Sequence, residues 1–305
     1  MSGSSSAPKS GASLQFNIVY TPGTVRYLRF FVSSLLDSSA ASFRLVSNGC
    51  SPSEREELRR YCAGRPRLEY WELLSPEIQR HGTVLNYLQS MTKTSYFCVM
   101  DSDIFATAPW LDRSSERLHQ ADAVFAGMPL WVAPGQDRFP NWFRGLSGEY
   151  SHDARGACLG VTYVAIYDND VLNAVRAREQ VGFEAREWSD VPTRLHSALS
   201  RQGLSGRHFD TGKLLNVLMR VSHRLEFVEE PGLCHIGGAS FEVIHRHNRP
   251  RRPESIFTRL GERGCRPLVT AWRVIQQVHS HRRTLSFGEA CVVMRRRIRQ
   301  RDRVR

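Results

Sequence analysis

The triplet Asp101-Ser102-Asp103 sets two carboxylates one residue apart, directly after the apolar run YFCVM at residues 96–100. In extended backbone, residues i and i+2 point the same way, so the pair is expected to face one cation. Mg²⁺ and Mn²⁺ take oxygen ligands, usually one or two carboxylates completed by water and substrate phosphates. The chemistry on offer is charge neutralisation on a departing diphosphate. Acidic pairs at strand ends also serve as turn and cap residues, so the triplet alone reads either way.

Several other residues stand where chemistry is conceivable. Asp210, followed by Thr211, opens a predicted amphipathic helix, a position where Asp is a favoured N-cap. His235, flanked by Cys234 and Ile236, reads by itself as a partly buried histidine bonded to backbone. Gly237 and Gly238 after it would let backbone approach a diphosphate closely. Asp190, in Glu187-Trp188-Ser189-Asp190, reads first as a cap between loop and helix. Trp131, Trp142 and Trp188 either stack on a sugar face or anchor their loops to the core.

The elements that must position these residues are legible as alternating periods. QFNIVY at 15–20 is a buried strand closed by Thr21-Pro22-Gly23, and Leu28, Phe31, Val32 and Leu35 then recur at helical spacing between Tyr27 and Leu36. A second strand, Phe43–Ser47, ends at Asn48-Gly49. The stretch from Ser53 to Tyr61 has a Ser cap with Glu56 three residues on, a capping-box signature. Arg67–Trp71 reads as a strand, about Thr83 to Met91 as a helix, and Tyr96–Met100 as a continuous apolar strand. Strands at Ala121–Phe125, Val161–Tyr167 and Leu225–Val228 follow, with helices over Asp170–Arg178 and after Asp210, where Leu214, Leu218 and Val221 share a face. Residues 127–157, rich in Gly, Pro and aromatics, are too long and aperiodic for an ordinary connection and read as a functional or mobile stretch.

Alternating strands and helices predict an α/β fold with a mostly parallel central sheet and helices on both faces. Ligands of such sheets bind beyond the carboxyl ends of the strands, where Asp101 and Asp103 stand.

Charge divides the chain. Residues 245–305 hold 17 Arg, no Lys and 4 acids, a net +13, whereas residues 1–244 hold 25 basic and 26 acidic side chains, a net −1. A nucleic-acid-binding enzyme would more often spread its basic side chains over the catalytic face, so no nucleic-acid partner is expected of the body. Val269, Trp272, Val274, Ile275 and Val278 recur at helical spacing in the basic region. That pattern reads either as a helical extension lying on an anionic membrane surface or as a solvated tail. Residues 1–13 are Ser- and Gly-rich without the apolar core of a secretory signal, and read as a disordered tail. No run of 18 apolar residues suggests a transmembrane helix. The seven scattered cysteines include no C-x-x-C pair and point to a reducing, cytoplasmic setting.

Taken together, residues 14–238 resemble the GT-A glycosyltransferases, and among them the family 2-like bacterial enzymes that use nucleotide sugars. The resemblance rests on the opening strand with Thr21, the helix bearing Ser33 and Leu35, LVSNG at 45–49, and HGTVLN at 81–86 followed by YFCVMDSD. It implies a Rossmann-like GT-A catalytic domain over 14–244 and a Mn²⁺ or Mg²⁺ cofactor. The implied donor is a nucleoside diphosphate sugar (UDP-, GDP- or dTDP-linked), transferred to an acceptor hydroxyl. It further implies Thr21, Asn48, Asp101, Ser102, Asp103, Gly237 and Gly238 at the donor, and His235 completing the metal or diphosphate site. Asp210 would be the base of an inverting transfer, with Asp190 in reserve and the three tryptophans toward the acceptor. Family members often carry an Asp where this chain has Ser47-Asn48-Gly49, which leaves the base of the nucleotide open. Two other readings share parts of the pattern. A sugar-nucleotide nucleotidyltransferase would need a Gly-rich phosphate loop that Thr21-Pro22-Gly23-Thr24 matches poorly; a non-catalytic binder would use the Arg-rich region alone.

Overall fold

β1 (Gln15–Tyr20) sends alternate side chains into two separate layers. Phe16, Ile18 and Tyr20 enter one hydrophobic cluster and Val19 the other. The division continues through β2 (Ser42–Ser47), β3 (Leu68–Glu72) and β4 (Tyr96–Met100). Phe43, Leu45, Cys98 and Met100 face the first layer, and Val46, Phe97 and Val99 the second. A sheet that is apolar on both faces needs helices on both. Each large side chain buried this way is worth about 1.5–3 kcal/mol.

The structure is a computed structural model that describes residues 14–25, 28–75, 77–127, 160 and 162–235. On one face, α1 (Leu28–Asp37) and α2 (Pro52–Cys62) supply Leu28, Val32, Leu35 and Leu58. On the other, α3 (His81–Ser90), α5 (Asn169–Glu179), α6 (Thr193–Arg201) and α7 (Lys213–Met219) supply Leu88, Val175, Leu199 and Val217 among others. The short α4 (Asp112–Leu118) lies against β6 (Ala123–Gly127) and β8 (Leu225–Glu229). With β7 (Val164–Asp168), the seven strands form one sheet in the order β3-β2-β1-β4-β7-β6-β8. Only β7 runs antiparallel to its neighbours; the remaining pairs are parallel. The expected mostly parallel α/β sheet with helices on both faces is therefore what forms.

A second, two-stranded sheet pairs β5 (Ile104–Ala106) antiparallel with β9 (Leu233–His235). Neither strand was expected, because three residues are too few to display a period of two. The capping box of α2 also differs from expectation. Ser51 rather than Ser53 is the N-cap and Glu54 rather than Glu56 its partner, since Pro52 takes the first helical turn, where its missing N–H costs nothing. Glu54 additionally accepts from the Gly23 N–H, pinning the turn that follows β1. Val221, expected on the apolar face of the helix after Asp210, lies beyond the end of α7 and is 66% exposed.

Cys50, Cys62 and Cys98 are buried free thiols, and burial pushes the first two up to about 11. They are core groups rather than reactive ones. No helix among the described residues is long and apolar enough to cross a membrane. The 1–13 tail, residues 128–157 of the aromatic-rich stretch and the basic 245–305 region all lie outside the described residues.

Candidate metal centre

The site forms where β4 and β7 meet. Because β7 is antiparallel to β4, its first residues lie beside the carboxyl end of β4: Met100 registers with Val164, and the Asp101 N–H donates to the Tyr163 carbonyl at 2.8 Å. The chain then turns through Ser102 and Asp103 into β5. The expected extended geometry of the D-x-D triplet is thus replaced by a turn, since the chain must leave the large sheet to enter the small one. The carboxylates still converge. β9 sets His235 opposite Ile104, so the imidazole arrives next to Asp103.

His235 Nε2 lies 3.1 Å from Asp103 Oδ1 and 3.5 Å from Asp101 Oδ2. Donor atoms of all three side chains fall within 4.8 Å of one another. The side chain of His235 is 2% exposed and that of Asp103 7%, whereas Asp101 keeps 26% open toward solvent. Burial of the imidazole disfavours its charge, yet the two carboxylates, Asp103 foremost, hold its proton and push it up to about 10. The two carboxylates that favour a proton on the imidazole favour a cation in the same place for the same reason. Two carboxylate oxygens and one imidazole nitrogen also form a donor set that suits Mn²⁺, with Mg²⁺ satisfied by the oxygens. The Tyr163 ring packs against the imidazole at a centroid distance of 4.5 Å, and His235 Nδ1 is buried without a hydrogen-bond partner. Ser102, between the two acids, is buried.

Asp210 does not cap a helix. α7 begins at Lys213 with Gly212 as its N-cap, in left-handed backbone at φ 73°, so the capping reading of Asp210 fails. A Cβ on Gly212 would stand 2.5 Å from Thr162 Cγ2, so glycine is demanded twice over, by conformation and by space. The tight turn ahead of α7 instead folds the Asp210 carboxylate back on the Thr211 N–H at 2.7 Å. Burial raises Asp210 above the ordinary carboxylate range; His208 and His81 pull it down, and the charge of Asp101 raises it further. Asp210 therefore lies within electrostatic reach of Asp101 and the candidate metal site. Lys213, one turn on, is drawn down to about 8 by burial, against the pull of Asp210.

Other expected residues are placed less centrally. Asp190 is exposed at the end of a single 3₁₀ turn, Trp188–Asp190, and accepts from Ser189 Oγ. It caps no helix, because α6 starts three residues later behind Pro192. Trp188 stacks on His196 at 4.5 Å and an interplanar angle of 20°, so one face of its indole is occupied. Thr21 follows β1 directly, buried, with its hydroxyl unpartnered. Asn48 spends both ends of its amide on Gln79, donating to its carbonyl and accepting from its N–H. Trp131, Trp142, Gly237 and Gly238 lie outside the described residues.

Residues the sequence pattern did not single out also shape the site. Tyr163 supports both His235 and Asp101, and His208 Nδ1 lies 2.7 Å from Glu187 Oε1 beside Asp210. Phe209, between His208 and Asp210, pairs with Arg186 in a short antiparallel bridge. Such alternation places residues 208 and 210 on one side, a signal that could have been read from HFD at 208–210.

No family model and no curated protein sequence matches this chain. Among solved structures it is similar to the apo structure of WbbM, a bifunctional glycosyltransferase. The TM-score is 0.41 at 10% identity, covering 73% of this chain and 40% of that one. It is likewise similar to the mannosyltransferase PcManGT from Pyrobaculum calidifontis, solved in complex with GDP-Man and Mn²⁺. There the TM-score is 0.41 at 11% identity, covering 94% of this chain and 81% of that one. The chain spans less than half the length of the WbbM chain it matches.

Proposed function

We propose that this protein is a metal-dependent glycosyltransferase with a GT-A fold, moving a sugar from a nucleoside diphosphate sugar to an acceptor hydroxyl. The observation that carries the proposal is the convergence of Asp101, Asp103 and His235 at the carboxyl end of β4, the edge where α/β sheets take their ligands. Asp101, Asp103 and His235 would hold the cation, Mn²⁺ or Mg²⁺. When bound, that cation offsets the negative charge gathering on the diphosphate. Thr21, just after β1 and so next to the carboxyl end of β4, has a buried, unpartnered hydroxyl to offer the donor, and Ser102, Gly237 and Gly238 would belong to the same donor-binding set. Asn48 would act by holding the Gln79 segment in place rather than by touching the nucleotide.

Asp210 is the proposed base. Its carboxylate takes the acceptor proton as the acceptor oxygen bonds to the anomeric carbon, and the bond from that carbon to the diphosphate breaks with inversion. Its raised proton affinity suits that task better than the exposed Asp190, which stays in reserve. Trp188, Trp131 and Trp142 are proposed for the acceptor sugar. Residues 14–244 form the catalytic unit in this reading. The basic 245–305 extension would be a peripheral contact with an anionic membrane on the cytoplasmic side.

The test is a thermal-shift screen of UDP-, GDP- and dTDP-sugars, each with Mn²⁺, Mg²⁺ or chelator. A ligand that binds only the folded state raises its stability. At least one donor is expected to raise the melting temperature in a metal-dependent way. Absence of any shift, together with absence of donor hydrolysis, would refute the proposal.

A further inference from the structure

β9 delivers His235 to the two aspartates, yet within the described residues it covers only Leu233–His235, and its ladder with β5 covers three residue pairs. So short a pairing needs outside support to hold its register. Two attachments supply it just upstream. The Gly232 carbonyl accepts from both the N–H and the hydroxyl of Thr107. Two residues earlier, the Glu230 carboxylate, 3% exposed, accepts through Oε1 from the Ser114 N–H at 3.0 Å and from Ser114 Oγ at 2.7 Å.

Ser114 is the third residue of α4, and α4 lacks a cap of its own. Its N-cap position is Leu111, in left-handed backbone at φ 89°, with no side-chain cap bond. Left-handed backbone is costly for a non-glycine residue. An Asp, Ser or Asn at position 111 would have satisfied the first turn locally. Instead the acceptor comes from a residue 116 positions away, on the turn between β8 and β9. A carboxylate in so dry a place is expensive unless its bonds are kept, so the contact resists being broken.

We propose that Glu230 is a positioning residue for His235: its carboxylate latches the turn before β9 onto α4 and thereby sets where the imidazole meets Asp101 and Asp103. The latch concerns the placement of His235; its consequence for metal affinity rests on the proposed function above. Residues that orient a ligand without touching the ion typically alter affinity 10- to 100-fold.

The experiment compares wild type, Glu230→Ala, Glu230→Gln and Ser114→Ala in the full chain. Peptide-resolved hydrogen exchange is measured on the metal-free protein, and Mn²⁺ affinity by electron paramagnetic resonance. Glu230→Ala is expected to speed exchange in residues 232–235 about tenfold and to weaken Mn²⁺ binding about tenfold. Glu230→Gln keeps a carbonyl acceptor at the same place and should restore both to within about threefold. Ser114→Ala, which removes one of the two bonds and is the milder change if Glu230→Ala does not fold, should fall between. Faster exchange confined to α4, with β9 and Mn²⁺ affinity unchanged, would overturn the proposal and leave Glu230 a helix cap. If β9 exchange responds as expected while wild type itself binds no Mn²⁺, the latch stands and the metal reading fails.

Discussion

His235 Nε2 stands 3.1 Å from Asp103 Oδ1 although 132 positions separate the two residues in the chain. The pair exists because β9 crosses back to β5, whose first residue follows Asp103 directly. A carboxylate, a second carboxylate and a buried imidazole then share one small volume, and their chemistry follows from that proximity.

Asp103 is the most enclosed acid of the trio, so its loss should be the most damaging. Asp103→Ala is expected to weaken Mn²⁺ binding and to abolish metal-dependent hydrolysis of the donor sugar; the metal-free variant should also melt below wild type, because the protonated His235 loses its nearest carboxylate. Full activity of the variant in excess chelator would show that the cation has no part in the reaction.

The proton on His235 makes a second prediction, and its sign is definite. Burial opposes the charged ring, but Asp103 and Asp101 outweigh it and lift its pKa from 6.5 to about 10 in the metal-free protein. A group whose affinity for protons is raised on folding stabilises fully below its unfolded value, and that stability is lost as pH rises through the folded value. Urea unfolding of wild type and His235→Gln should therefore converge between about pH 6.5 and 10, the wild-type advantage shrinking throughout. Mn²⁺ affinity should change in the opposite sense, rising with pH as the competing proton leaves. Parallel stability curves for the two proteins would count against a charged His235.

Asp210 separates chemistry from binding. Asp210→Asn preserves the shape of the side chain and its acceptor oxygen for the Thr211 N–H. Transfer to the acceptor should drop by about 10²–10⁴ in kcat, with donor and Mn²⁺ affinities little changed. Because burial raises this carboxyl, the acid limb of the wild-type rate profile should lie above the ordinary carboxylate range. A variant with normal kcat and altered KM would assign the residue to binding.

Gly212 tests the turn that aims Asp210. An alanine there meets Thr162 Cγ2 at 2.5 Å and must hold φ near 73°. Gly212→Ala should lower stability by about 2 kcal/mol, from left-handed backbone together with overpacking. Chemical denaturation measures it; a cost below half that would mean the turn relaxes freely.

The seven strands of the large sheet and five of its helices were visible in the sequence to within a few residues, because each is announced by a local period that burial on one or two faces enforces, whereas α4 and α6 were not read. YFCVM is apolar on every position since β4 lies between β1 and β7 under helices on both sides. The aspartates at its end could be placed for the same reason. Capping chemistry was harder: Ser51 and Ser53 both precede a glutamate by three, and only the position of Pro52 in the first turn separates them.

By itself, then, the sequence determined an alternating α/β chain, a sheet buried on both faces and an acidic pair at the carboxyl edge of a central strand. Hydrophobic periodicity is a property of neighbours, and neighbours are what a sequence displays. The tertiary structure alone decided that the acids sit in a turn, that His235 joins them through β5 and β9, that Asp210 lies in a non-helical turn within electrostatic reach of them, and that Glu230 ties the turn before β9 to α4. Each of these depends on residues roughly a hundred or more positions apart, brought together by strand order and register that no local pattern encodes.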